Sequence, residues 1–372
     1  MIDFGKILKR SWYILWNYRV LWVFGLLLAL TTGGGGSSGN SNYQFSGNNG
    51  NNGNNGSGYE LEQAPEFFQE LAEAFERDVV PMFENPSEHV ATFIWIGVAI
   101  FVLILIFSAI SAFIRYPSEV AVMRMVDRFE STGEKVGFRE GWKLGWNRRA
   151  FRLWLVDLII SLPALLVFGA LFALGIVVLI NASDSPGDTW VGGMIATIGC
   201  VFLLFFAVII LTVFLSLLRH FFARFIALEE TSLGDSFRRG WAFFKHNWKS
   251  AALMWLIMLA IGFGVGIVTI IAFFLLIPAY LVLIIPAALV AAVPGLIAYG
   301  IASLFLSAPI AAVVGAIFAL PFFFTIMFAP LFLLSGWYLI YDSTIWTLAY
   351  REMKALDAAI IVEAPQEPAL PA

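Results

Sequence analysis

The chain has 372 residues, of which 60% are hydrophobic and 13% charged, and its formal net charge is −4. Its mean hydropathy of +0.84 lies well above the range of soluble globular proteins, and its one cysteine, Cys200, excludes an intrachain disulfide. Residues 250–341 contain no Asp, Glu, Lys, Arg or His. Because one charge at the centre of a bilayer costs about 2.5–3.5 kcal/mol, this run predicts an all-α, multi-pass membrane protein.

Apolar windows of about 20 residues place the first four spans near residues 18–32, 91–114, 153–180 and 191–218. The predicted segments are 1–32 (cytoplasmic interfacial helix and first span), 33–90 (extracytoplasmic), 91–152 (second span and basic loop), 153–249 (third and fourth spans and basic loop), 250–341 (charge-free) and 342–372 (cytoplasmic tail). A cleaved signal peptide is the alternative for the N-terminus, although Trp12 to Trp22 is unusually aromatic for one.

The extracytoplasmic segment has two parts. Gly33 to Gly58 is almost entirely Gly, Asn and Ser, a composition that predicts a flexible tether. Pro65 to Phe83 alternates apolar and acidic residues at helical spacing. We expect this second part to form an acidic amphipathic helix on the outer surface. Its acidic face is either simply solvated or attracts cations or a basic partner.

Basic residues set the orientation. The segments 1–19, 115–152, 219–249 and 342–372 hold 21 of the 22 Lys and Arg residues, leaving only Arg77 for the other side. By the positive-inside rule these segments are cytoplasmic, so both termini face the cytoplasm and the number of crossings is even. The predicted location is a prokaryotic inner membrane.

The charge-free region allows two counts of spans. We favour two crossings, at 251–277 and 309–341, with a proline-broken or re-entrant hairpin at 279–308, which gives six spans in total. Four short crossings, and eight spans, are the alternative. The region carries no ionisable side chain, so a ligand bound there would be apolar or held by backbone carbonyls.

Three cytoplasmic stretches share the order apolar, basic, any residue, small, Trp. They are Leu8–Trp12, Phe138–Trp142 and Phe237–Trp241, each followed by an Asn and then by a span. This pattern predicts three tandem units, each with a helix in the headgroup plane, while independent membrane-interface patterns are the alternative. The predicted interfacial anchors, which would meet anionic lipid headgroups, are Trp12, Trp142, Trp241, Arg139, Arg238 and Arg239.

The sequence carries no recognised metal, cofactor or acid–base motif, so no catalytic residue is predicted. Arg115, Asp157 and Asp342 lie close to the cytoplasmic ends of three spans. Residues at the same membrane depth can pair, so we expect these three to form a polar cluster at the inner leaflet. A headgroup or ion site is the functional interpretation, and interfacial ion pairs are the structural one.

The pattern Phe-Arg-x-Gly-Trp before a span, together with the closing sequence Tyr341–Glu352, resembles uncharacterised prokaryotic multi-pass proteins related to the membrane domain of some glycerophosphodiester phosphodiesterases. The 31 residues from Asp342 leave no room for a phosphodiesterase domain, so the resemblance implies a membrane scaffold without that activity. A lipid-associated scaffold or accessory subunit, with a protein partner or a second copy, is therefore the favoured function. The alternatives are a small permease with a site around 286–309 and a lipid-modifying enzyme.

Overall fold

The computed structural model of the protein describes residues 2–32, 90–184, 188–304 and 308–363. The predicted tether and acidic helix lie outside the described residues. The described residues form helices and no strands, which confirms the predicted all-α membrane bundle. The helices are α1 (Phe4–Asn17), α2 (Val20–Thr31), α3 (Val90–Thr132), α4 (Phe138–Gly145), α5 (Arg148–Asp184), α6 (Asp188–Glu229), α7 (Leu233–His246), α8 (Trp248–Leu275), α9 (Ile277–Ala302), α10 (Ala308–Met327) and α11 (Ala329–Glu363).

Four described helices are long and apolar enough to cross a bilayer. They are α8, α9 and the stretches Arg148–Leu171 of α5 and Val201–Glu229 of α6. The count rises to six when two bent pairs each count as one span: α1 with α2, bent by 98°, and α10 with α11, bent by 66°. The chain is therefore an integral membrane protein by the length and composition of its helices.

The expected proline-broken hairpin at 279–308 is wrong over the described residues. Residues 277–302 form one helix, α9, which continues through Pro286 and Pro294. A proline removes one backbone donor, and a membrane helix tolerates this loss where neighbouring groups compensate. The helix is long enough to cross the bilayer, so the charge-free run contains more helix than two crossings require.

The chain divides into two compact units. Among the described residues, unit 1 contains 2–32, 112–184, 188–268 and 332–363, and unit 2 contains 90–111, 269–304 and 308–331. In unit 2, α9 and α10 approach closely at a pair of glycines: a β-carbon added at Gly315 would lie 2.9 Å from the carbonyl oxygen of Gly295. Small residues at such crossings let helix backbones touch, which is a common packing mode in membranes.

Three short helices of unit 1, α1, α4 and α7, each end at a break of one or two residues before the next helix. The break falls at Tyr18 after α1, at Trp146 and Asn147 after α4, and at Asn247 after α7. The small residue of the shared pattern is buried in each helix, as Ser11, Gly141 and Gly240. A β-carbon at Gly240 would lie 2.5 Å from the ring of Phe222, so the small residue permits close packing on α6.

The core of unit 1 lies where α3, α6 and α11 meet. We call this the three-helix junction and define it as residues 116–129, 217–227 and 339–353. Its side chains are among the most buried in the described chain, including Val120, Met125, Phe221, Ile226, Ile345, Trp346 and Met353. Edge-to-face aromatic pairs join α6 to α11, as between Phe225 and Tyr350 at 5.4 Å.

Candidate functional site

A buried arginine, Arg219 on α6, is the centre of an ionic network in unit 1. Its Nη1 and Nη2 atoms donate to Oε1 and Oε2 of Glu119 on α3, both at 2.9 Å. Both side chains are more than nine-tenths buried. This two-pronged geometry is the strongest that an arginine and a carboxylate form, and it joins α3 to α6.

Asp157 on α5 extends the network. Arg219 Nη2 donates to Asp157 Oδ2 at 2.9 Å, and Arg219 Nε donates to Oδ1. Arg115 Nη2, on α3, lies 3.7 Å from Asp157 Oδ2. Two guanidinium groups and two carboxylates from three helices thus form a set with no net formal charge, which is how buried ions are tolerated away from water.

The structure places Arg115 and Asp157, two of the three residues expected at this depth, in one ion pair. The third, Asp342, is buried on α11 and lines a small cavity together with Glu119 and Arg219. Sequence reasoning missed Arg219 and Glu119. Both follow the end of a predicted span by only a few residues, and that position was the available signal.

Next to the network, His220 stacks on Trp346 with ring centroids 4.2 Å apart and planes 10° apart. Arg224, one turn further along α6, contacts His220 Nδ1 at 3.2 Å and donates to the His220 carbonyl at 3.0 Å. It also donates to the Ser343 carbonyl at 3.3 Å, which connects α6 to α11. Because an arginine only donates, a hydrogen bond at this contact requires the His220 tautomer in which Nδ1 is the acceptor.

The ion pairs at the edge of the three-helix junction are more exposed than the network around Arg219. Arg351 on α11 donates to the Asp127 carbonyl at 3.0 Å and to its carboxylate, and Lys354 Nζ lies 2.6 Å from Glu229 Oε1. Hydrogen bonds to Glu140 and Glu134 raise the pKa of Arg128 above its ordinary value. Exposed pairs of this kind add little stability.

Basic and aromatic side chains cover the outer faces of the three short helices. Trp12 and Trp241 are 55% and 47% exposed, and Trp146, just after α4, is 51% exposed. Trp142 is half-buried, because its ring stacks on Phe24 of α2. The three predicted basic anchors, Arg139, Arg238 and Arg239, are all exposed.

The N-cap of α7 follows from its sequence. Ser232 Oγ accepts from the Asp235 amide at 3.2 Å and donates to the Asp235 carboxylate at 2.7 Å. The hydroxyl lowers the pKa of Asp235, and the acid also complements the positive end of the helix. The cap fixes where α7 starts and therefore which face carries Arg238, Arg239 and Trp241.

An aromatic cluster lies where α1 and α2 meet α11. Trp16 contacts Trp22 at 5.4 Å and Trp337 at 5.6 Å, and Trp12 contacts both Trp16 and Tyr341. Trp22 Nε1 donates to the Leu15 carbonyl at 2.7 Å. Tryptophan clusters with one polar edge and one apolar face are typical of the boundary between hydrocarbon and headgroups.

Among the described residues, no group of three or more His, Cys, Asp or Glu side chains is arranged to hold a metal ion. The arrangement can hold buried charges in place, and its outer faces carry exposed basic side chains.

Comparison with known proteins gives one positive result. The model of a protein family described as a family of unknown function (DUF7544) matches residues 9–341. No curated protein matches the chain, and no solved structure does. The matched range covers α1 from Lys9 onward, α2 to α10, the part of α11 up to Tyr341, and the residues between them that the structure does not describe.

Proposed function

The chain belongs to the protein family of unknown function DUF7544, and we propose that this member is a non-enzymatic membrane scaffold that associates with anionic lipid. The observation that carries the proposal is the exposure of Trp12, Trp241, Arg238 and Arg239 on the short helices α1 and α7. Trp settles at the headgroup level, and a Lys or Arg near an anionic surface contributes about 1 kcal/mol.

Sidedness is part of the proposal. The excess of Lys and Arg in four segments supports a cytoplasmic location for α1, α4, α7 and the C-terminal part of α11, in a prokaryotic inner membrane. Anionic lipids on that side would then meet the exposed arginines. The proposed partners are these lipids, and a second protein or another copy of the chain that the scaffold would hold.

Three tandem units remain a proposal about the origin of the fold. The break after each short helix and the burial of Ser11, Gly141 and Gly240 support it, since each copy of the sequence pattern is used in the same way. The relation to the membrane domain of glycerophosphodiester phosphodiesterases also remains a proposal, carried by the short motifs alone.

A permease is the weaker alternative. It rested on an unwound helix around 286–309, and α9 is instead continuous as far as Ala302. A lipid-modifying enzyme has no nominated catalytic residue. No observation among the described residues favours either the permease or the enzyme.

Native mass spectrometry of the detergent-purified protein tests the scaffold proposal. The full-length chain is exchanged with phosphatidylglycerol and with phosphatidylcholine, and the retained lipids are counted. We expect preferential retention of phosphatidylglycerol, reduced in the double variant Arg238→Gln/Arg239→Gln and by high salt.

The matched control is Arg128→Gln/Lys354→Gln. It also removes two exposed positive charges, but from residues already paired with carboxylates: Arg128 with Glu134 and Glu140, and Lys354 with Glu229. Equal retention of the two lipids by the native chain would refute the proposal. So would an equal loss in the control and in the double variant, since the effect would then be one of net charge alone.

A further inference from the structure

A small cavity lies at the three-helix junction. Polar groups line its wall, and the proposed lipid contacts do not use them. Arg224 and His220 of α6, Ser343 and Asp342 of α11 and Glu119 of α3 contribute to it. The cavity has room for about one water-sized sphere, so neither a phosphate nor a lipid headgroup fits inside.

Two polar atoms from the wall have no hydrogen-bond partner among the described residues. They are Arg224 Nε and Ser343 Oγ, and their residues are only 2% and 7% exposed. The other nitrogens of Arg224 are used, on the carbonyls of His220 and Ser343. A buried donor without an acceptor is costly, so these two atoms define a small site that needs a hydrogen-bonding ligand.

Charge decides the class of ligand. Glu119 and Asp342 place two carboxylates on the wall, and Arg219 and Arg224 place two guanidinium groups there. A cation would be repelled by the arginines and an anion by the carboxylates, and either would add a net charge to a buried site. A neutral molecule avoids both costs.

We propose that the cavity binds one water molecule, which accepts a hydrogen bond from Arg224 Nε and exchanges one with Ser343 Oγ. The water completes the hydrogen bonding of the arginine that ties α6 to α11. It lies beside His220, whose ring stacks on Trp346. The site is thus a hydrated point within the three-helix junction, and it is independent of the lipid contacts on the outer helices.

X-ray diffraction from crystals of the full chain in sodium bromide tests the site directly. We expect one density peak at about 2.7–3.2 Å from both Arg224 Nε and Ser343 Oγ, with no anomalous bromide signal. A bromide peak would make it an anion site and overturn the proposal. An empty cavity in a map that shows other buried waters would overturn it too.

Radiolytic hydroxyl labelling in detergent gives a second readout, because it modifies buried side chains that contact bound water. His220 should be labelled although it is only 3% exposed, and Ser343→Ala should abolish the labelling. The matched control is Ser118→Ala, since Ser118 is equally buried but donates to Ile114 of its own helix at 2.7 Å. Unlabelled His220 in the native chain, or loss of labelling in both variants, would contradict the proposal.

Discussion

The hydroxyl group of Tyr18 donates a hydrogen bond to the carbonyl oxygen of Val136 at 2.8 Å and accepts one from the amide of the same residue at 2.6 Å. Tyr18 stands at the break between α1 and α2, and Val136 lies in the loop between α3 and α4. One side chain therefore satisfies both backbone groups of a residue 118 positions away. It fixes the first two short helices relative to each other.

Replacement of Tyr18 by Phe should destabilise the protein by about 1–3 kcal/mol, because the Val136 amide and carbonyl lose their partner in a buried place. Thermal unfolding in detergent measures the effect. Tyr13→Phe is the matched control, since the Tyr13 side chain is 50% exposed. An equal change in both variants would show that the Val136 contact is not the reason.

Removal of the Arg219 charge should be the most damaging single change in the ionic network. Arg219→Met leaves Glu119 and Asp157 without their main partner, and breaking a buried pair costs about 3–5 kcal/mol. The free energy of unfolding in a mild denaturant series measures it. Arg238→Met, at an 82% exposed side chain, should change stability by less than about 1 kcal/mol.

Asp157→Asn should cost less than Arg219→Met, because Arg219 keeps both hydrogen bonds to Glu119. Thermal unfolding and native mass spectrometry together separate the two interpretations of the cluster. A stability loss with unchanged lipid retention supports a structural role. Altered retention at unchanged stability would instead support a headgroup site, and no change in either would remove the site.

Gly25 on α2 and Gly336 on α11 form a second glycine crossing, this one in unit 1. A β-carbon at Gly25 would lie 2.6 Å from the Gly336 carbonyl oxygen, and one at Gly336 would lie 2.8 Å from the Gly25 carbonyl carbon. Either alanine variant forces the backbones apart and should cost about 1–3 kcal/mol in thermal unfolding. Gly266→Ala on α8 meets open space and should be neutral or slightly stabilising.

Glu230, between α6 and α7, is the one non-glycine residue at positive φ in the described chain, with φ of 59°. Its carboxylate pairs with Arg149, and both Glu230→Ala and Glu230→Gly lose that pair. Only alanine retains the strained backbone, so the glycine variant should be more stable than the alanine variant by about 1 kcal/mol. Equal melting temperatures would show that the turn carries no strain.

The class of fold and the short helices could be predicted from the composition and from local sequence patterns. The pattern Phe237–Trp241 predicted α7, and the absence of charge at 250–341 predicted membrane helices, because both depend on local patterns of the sequence. The prediction of a broken hairpin at 279–308 was wrong because it relied on Pro286 and Pro294. A proline usually ends or kinks a helix in a soluble protein, but a packed membrane helix tolerates it.

The partners of the buried charges could be predicted only in part. Arg115 and Asp157 were grouped by depth alone, and depth is readable from the sequence. Glu119 and Arg219 are 100 residues apart, and nothing local in the sequence indicates that two such residues meet. Their pairing depends on which faces of α3 and α6 come together, which is a property of the tertiary packing.

The ionic network also constrains the order of events during synthesis. Glu119 leaves the ribosome 100 residues before Arg219, and Asp157 leaves it 62 residues before. Until Arg219 is made, Glu119 lacks its arginine partner and Asp157 has only Arg115. The insertion machinery must therefore hold the early helices, or keep those acids near the aqueous boundary, until the arginine-bearing helix is available to neutralise them.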